Sequence, residues 1–212
     1  MERTTIIFQT FKRPAICQRL LDSIQKHYPS HVPDFVIVND DSEQDNGLSW
    51  GRNFLVKQAK TEYVMLIDDD AEFTEMTNIK LLEQMMDETQ LDILGFACGF
   101  DYIGSYKVEG RTVTLLPQQN EQGRYDYVPN MFIARRESLL QHPWDEELKI
   151  GEHFAYFYEH YPNLKIDYTD QVSIKHEHIS NPDYAKYRGR ALQYAKRYMQ
   201  KKGISKIVRI KK

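Results

Sequence analysis

Apolar residues in the first half of the chain follow two rhythms. Short runs without a charge occur at Thr4–Phe8, Phe35–Val38 and Tyr63–Ile67, and a run that is apolar on both faces reads as a buried strand. Between them the spacing turns helical. Pro14 suits a first helical turn, and Ile16, Leu20, Leu21 and Ile24 share one face up to His27. Similar spacing predicts a helix from about Ser49 to Ala59, with Phe54, Val56 and Ala59 among its apolar positions, and another over Ile79 to Met86. Ile93–Cys98 is a further strand. Strand, helix, strand, helix, strand predicts a parallel sheet with right-handed crossovers, an α/β fold with helices on its flanks.

The rhythm weakens after Gly99. Alternation in Arg111–Leu115 predicts one strand of a hairpin turning at Glu109-Gly110, and Pro117 to Asn120 reads as a flexible loop. Helical spacing returns at Gly151–His160, a strand fits Val172–Lys175, and one long helix fits Asp183–Lys201. The expected organisation is one domain over residues 1–181, with a regular half over 1–100 and a less regular half over 101–181. Residues 182–212 form a basic helical tail.

Composition narrows the setting. The 212 residues are 41% hydrophobic and 28% charged, enough for one soluble core. No apolar run approaches a membrane-spanning length, and Thr4–Phe8 is too short for a secretory signal. Cys17 and Cys98 alone exclude a disulfide scaffold and a four-cysteine zinc site, so a reducing cytoplasm is the expected location. Charge is unevenly spread. From Pro182 onward eleven Lys or Arg stand against Asp183, so the tail carries +10 and the preceding residues −13 of the total −3. An acidic body argues against nucleic acid as a partner. The tail reads as a solvated basic helix, as a peripheral contact with the inner face of a membrane, or as a segment docked on the acidic body.

Candidate chemistry sits just past the predicted strands, where open parallel sheets bind ligands. The residues there are Gln9-Thr10-Phe11, Asn39-Asp40-Asp41-Ser42 and Asp68-Asp69-Asp70. Five acids at neighbouring strand ends repel unless a positive charge lies among them. A hard divalent cation shared with substrate phosphates supplies it. Neither GxGxxG nor GxxxxGK[ST] occurs, which leaves phosphate to be held mainly through the metal. For an acidic triplet alone, a solvated turn is the plain alternative.

The segments VNDDS at 38–42, GLSWGRN at 47–53 and YVMLIDDDAEF at 63–73 resemble the nucleotide-binding half of family two GT-A glycosyltransferases. NMFIARRESL at 130–139, WDEELKIGEHFAYF at 144–157 and VSIKHEH at 172–178 resemble the β-1,4-N-acetylgalactosaminyltransferase-like subgroup. The resemblance implies a GT-A-like fold and inverting transfer of a sugar from a nucleotide diphosphate sugar, UDP-linked, to a glycan or lipid-linked hydroxyl. It also implies Mn²⁺ or Mg²⁺ as cofactor. Carried onto this sequence, Thr10 and Asp40 contact the nucleoside, with Asp40 or Asp41 accepting from the uracil N–H. Arg52 and Asp69 join the nucleotide set. Asp68 faces ribose or metal, Asp70 ligates the metal, and His176 completes that site with His178 as its competitor. Trp50, Asn130 and Met131 line the acceptor side.

One departure stands out. Where relatives place the acid that deprotonates the acceptor, this sequence has Phe154-Ala155. Glu152 is the nearest acid and His153 a second candidate base. The departure keeps open a catalytically silent sugar-nucleotide or glycan-binding protein. A nucleotidyltransferase also fits acids at strand ends, but FQTFKRP lacks the glycine-rich phosphate loop of that class.

Overall fold

A computed structural model describes residues 2–100 and 102–210. Its strands are Thr4–Thr10 (β1), Val36–Asp40 (β2), Tyr63–Leu66 (β3), Ala71–Glu72 (β4), Ile93–Ala97 (β5), Ser105–Glu109 (β6), Thr112–Leu116 (β7), Phe132–Arg135 (β8), Ile166–Ser173 (β9), Lys175–His176 (β10) and Lys206–Arg209 (β11). Its helices are Pro14–His27 (α1), Leu48–Gln58 (α2), Ile79–Thr89 (α3), Arg136–Gln141 (α4), His153–His160 (α5), Pro182–Arg188 (α6) and Ala191–Lys201 (α7).

The central sheet runs β2-β1-β3-β8-β5-β9. Only β8 is antiparallel to its neighbours β3 and β5, so β1, β2, β3, β5 and β9 all point their carboxyl ends to one edge. Alternate residues of the inner strands feed two cores. Ile6, Phe8, Met65 and Ile133 pack beneath α1 and α3, whereas Ile7, Val64, Leu66 and Phe132 pack beneath α2, α4 and α5. This two-sided burial is what the charge-free runs predicted. β2 is the exception: it is the sheet's edge, half-buried over Val36–Asn39 and exposed at Asp40.

The C-terminal segment corrects the long basic helix. α6 and α7 are separate, with Gly189 and Arg190 between them, and β11 adds in parallel to the β6–β7 hairpin. The segment lies on the body rather than beside it. Tyr187, Tyr198 and Ile204 are buried, Arg190 pairs with Asp45 through two nitrogens at 2.8 and 3.0 Å, and Lys201 meets Asp145 and Glu147. Lys202 meets Glu159 at 2.6 Å. The basic end thus answers part of the acidic body's charge directly.

Candidate active site

Two short ladders and one helix collect the site at the carboxyl edge. Past β3 the chain turns tightly, Ala71 N donating to Asp68 O, and enters β4. β4 pairs with β10 so that Ala71 faces His176, which sets the imidazole beside Asp70: His176 Nε2 lies 2.8 Å from Asp70 Oδ1. Asp68, Asp70 and His176 each offer one ligand atom, all within 4.8 Å of one another. Two carboxylates and an imidazole suit a divalent ion such as Mn²⁺. His178 is exposed and stays outside that trio, though it lines the same cavity.

Arginines hold much of the acidic charge that the sequence reading gave to metal. Arg13, buried at the entrance to α1, pairs with Asp69 through Nε and Nη2 and with Asp70 through Nη1 at 3.1 Å. Thr10 Oγ1 donates to Asp69 Oδ2 at 2.7 Å. Burial raises the Asp69 carboxyl to about 6 even against Arg13. Asp69 is therefore turned into the framework. Asp41 is too: it accepts from the amides of Asn46 at 2.9 Å and Gly47 at 2.8 Å, closing the loop before α2. Both were expected to meet the nucleotide. Asp40, tied to Ser42 through one oxygen at the tip of β2, remains exposed.

α2 carries Arg52 to the opposite wall. Ser49 Oγ donates to Leu148 O, and Asn53 exchanges hydrogen bonds with Trp144, which fixes α2 against the segment before α5. Gly47 allows that closeness, because its φ is +101° and a Cβ there would meet Lys149 Cα at 2.5 Å. Arg52 then pairs with buried Glu152 and lies 3.8 Å from Asp68. Burial is the largest single influence and opposes ionisation of Glu152, but the Arg52 charge, its hydrogen bond and a backbone amide together hold the carboxyl below its ordinary value. Asn130 Nδ2 donates to Glu152 Oε1 at 3.2 Å, while Asn130 Oδ1 is buried without a partner among the described residues.

Asp68, Asp70, His176, Glu152, Asn130 and Met131 line one cavity of about 450 Å³. Beside it, between the end of β1 and Arg52, a cavity of about 50 Å³ holds room for little more than one or two waters at about 30 Å³ each. α6 covers it. Tyr187 stacks on Phe11 with centroids 4.6 Å apart, Tyr184 lies over Arg13, and Arg188 lines both cavities.

Two expected residues are engaged with other parts of the fold. Trp50 stacks on exposed Phe54 one helical turn along, on the outer face of α2, because Ser49, Arg52 and Asn53 take the inner face. His153 lines the larger cavity, but its Nε2 lies 2.7 Å from Val128 O and burial lowers its imidazole to about 4. It ties α5 to the neighbouring segment and is a poor base near neutral pH. None of Arg13, Tyr184, Tyr187 and Arg188 was expected at the site from the sequence. The one signal for Arg13 was a cation directly after a strand and before a helix-starting proline.

Comparison with known proteins agrees with this geometry. The profile of glycosyl transferase family 2 matches residues 41–148. Beta-1,4 N-acetylgalactosaminyltransferase 2 of Mus musculus is 28% identical over an alignment covering 92% of this chain and 47% of that protein. Beta-1,4 N-acetylgalactosaminyltransferase 1 of Rattus norvegicus is 25% identical, over 81% and 38%. The chain thus spans about half, or less, of the length of these curated relatives. S. aureus TarS 1-349 in complex with UDP-GlcNAc superposes with a TM-score of 0.63 at 18% identity, covering 87% of this chain and 61% of that one. The mannosyltransferase PcManGT from Pyrobaculum calidifontis, in complex with GDP-Man and Mn2+, gives 0.61 at 12%, covering 94% and 63%. At those identities the likeness is one of fold, the GT-A arrangement of a mostly parallel sheet between helices. With half of its residues matched by the family profile and its strand ends built as described, this chain belongs to glycosyl transferase family 2.

Proposed function

We propose that this chain is the catalytic part of an inverting glycosyltransferase that moves a sugar from a UDP-sugar to a hydroxyl of a glycan or lipid-linked acceptor. The observation that carries this reading is the convergence of Asp68, Asp70, His176, Glu152 and Asn130 on one cavity. The N-acetylgalactosaminyl transfer named for the curated relatives, and the UDP-GlcNAc bound to TarS, support a UDP-linked N-acetylhexosamine as donor.

Thr10 and exposed Asp40 would contact the nucleoside, with Arg52 lining the same small cavity as Thr10. Asp68, Asp70 and His176 would hold Mn²⁺ or Mg²⁺, which when bound stabilises charge on a leaving diphosphate. Glu152, ionised beside Arg52, accepts the proton of the acceptor hydroxyl as that oxygen attacks the anomeric carbon. The sugar–phosphate bond breaks on the far side and the configuration inverts. The unpartnered Asn130 Oδ1 accepts from the acceptor and orients it. Exposed Lys186, Lys196 and Arg197 leave a basic face for a lipid-linked acceptor's surface. No helix of the described residues is long and apolar enough to cross a membrane.

A second reading has its own support. Glu152 is locked to Arg52, and Ala155 replaces an acid, which suits a protein that binds a sugar nucleotide without turning it over. Thermal stabilisation by UDP-GalNAc and UDP-GlcNAc with Mn²⁺, followed by release of UDP, separates the two. A ligand at about 100 times its Kd adds about 2.7 kcal/mol. Asp70→Asn should abolish the metal-dependent part of that gain. Full stabilisation in Asp70→Asn would sink the metal assignment, and stabilisation without UDP release would favour the silent binder.

A further inference from the structure

A third cavity, of about 700 Å³, lies at the other edge of the sheet. It is walled by the β6–β7 hairpin, the loop that follows β7, and residues 161–166. Ile166 begins β9 opposite Ile93 at the start of β5, so this is the amino edge, away from the acids that follow β3. One segment joins the two places. Tyr125 bridges to Ile166 at this cavity and Asn130 reaches Glu152 at the other. Five residues at about 3.3 Å each make that span at most about 17 Å.

The wall is unlike that of the candidate active site. Gln118, Gln119, Gln122 and Asn163 present carboxamides, and Tyr125 and Tyr161 present phenols. Among the described residues none of these six side chains has a protein hydrogen bond. Asn120 and Asp126, by contrast, are used up in shaping the loop: Asn120 bonds Asp126, and Asp126 accepts from Tyr106 N. Tyr106 itself backs the wall with its hydroxyl buried and unpartnered. Carboxamides and phenols both donate and accept, which suits a ligand dense in hydroxyls. Tyr161, 37% exposed, offers an aromatic surface for the apolar face of a sugar ring. Charge is spread rather than gathered: Lys107, Arg124 and Lys165 stand with Glu121 and Asp126. Nothing here concentrates the field that a phosphate or a cation needs.

We propose that this cleft binds a neutral oligosaccharide and so anchors a glycan at a distance from the reacting end. Its role as an acceptor anchor rests on the glycosyltransferase reading; the binding itself does not. Maltotetraose, cellotetraose and chitotetraose, titrated into the ¹⁵N-labelled full chain, test it. At least one should give saturable shifts in the side-chain NH₂ groups of Gln118, Gln119, Gln122 and Asn163. Tyr161→Ala or Gln119→Ala should weaken that binding by roughly tenfold. Gln119→Ala removes only an unpartnered side chain, so it keeps the test valid if Tyr161→Ala misfolds. UDP with Mn²⁺ should stabilise both variants as it does the unaltered chain. No saturable shift in this cleft with any of the three glycans overturns the proposal, as does binding that survives both substitutions. If UDP binds nothing while the glycan shifts appear, the donor-site reading fails and this cleft stands.

Discussion

At the scale of single residues, the site is governed by which acids are shared with arginine. Glu152 is the sharpest case, since its partner Arg52 is also buried. Removing one member of a buried pair leaves the other uncompensated, at a cost of about 3–5 kcal/mol. Glu152→Gln and Arg52→Gln should therefore both lower the unfolding midpoint. Their transfer rates should part with pH. If Glu152 is the proposed base, its loss costs about 10²–10⁴-fold at any pH. Arg52→Gln removes the charge that keeps Glu152 ionised, and its rate should recover as pH rises. Equal losses in rate would make the pair framework rather than catalyst. His153 gives a prediction in pH. Its folded value of about 4 lies below the unfolded value of about 6.5, so the unfolded chain binds the extra proton between those values. Stability from this group is whole above pH 6.5 and falls as pH drops toward 4, by ~3 kcal/mol at most. His153→Gln should flatten that slope in urea titrations; an unchanged slope would assign it to other histidines.

At the scale of elements, β1, α1 and β3 were readable because each is buried in the way its pattern requires. Ile6, Ile7 and Phe8 serve both cores in turn, and Leu20 and Ile24 lie one helical turn apart. β2 has an equally apolar run but no neighbour on its outer side, which local pattern does not encode. β8 was missed because Phe132–Arg135 is four residues long and runs straight into α4. Its antiparallel place between β3 and β5 comes from tertiary pairing alone. The apolar spacing of residues 183–201 hid the break at Gly189. In the site, the acids and His176 were legible as types at strand ends. The inward turn of Asp41 and Asp69 was not, because it depends on amides and on Arg13 from other elements. β5 carries its own test. A Cβ on Gly95 would meet the Val128 side chain at 2.6 Å, where the segment leading to Asn130 crosses the strand. Gly95→Ala should cost about 1–3 kcal/mol in denaturant unfolding, and a neutral result would mean that this segment is free to lift.

At the scale of the whole molecule, the C-terminal segment closes the circuit between the two halves. It reaches Asp45 before α2, Glu159 at the end of α5 and the β7 strand beyond. Tyr187 is the point at which it rests on the nucleotide side, held by Phe11 beneath and by a hydrogen bond from its hydroxyl to Lys149 O at 2.8 Å. A cavity of about 50 Å³ under that ring admits no nucleoside. If UDP binds here as proposed, only a population with α6 displaced takes it up. The affinity measured for UDP is the intrinsic affinity scaled by that fraction. Tyr187→Ala should enlarge the fraction and tighten UDP binding in calorimetry while removing a side chain. Weaker binding would instead make Tyr187 part of the base platform. The rate of association should level off with rising UDP in stopped-flow traces, at the frequency with which the ring lifts from Phe11 and its hydroxyl releases Lys149 O: a clock set by one stacking contact and one hydrogen bond.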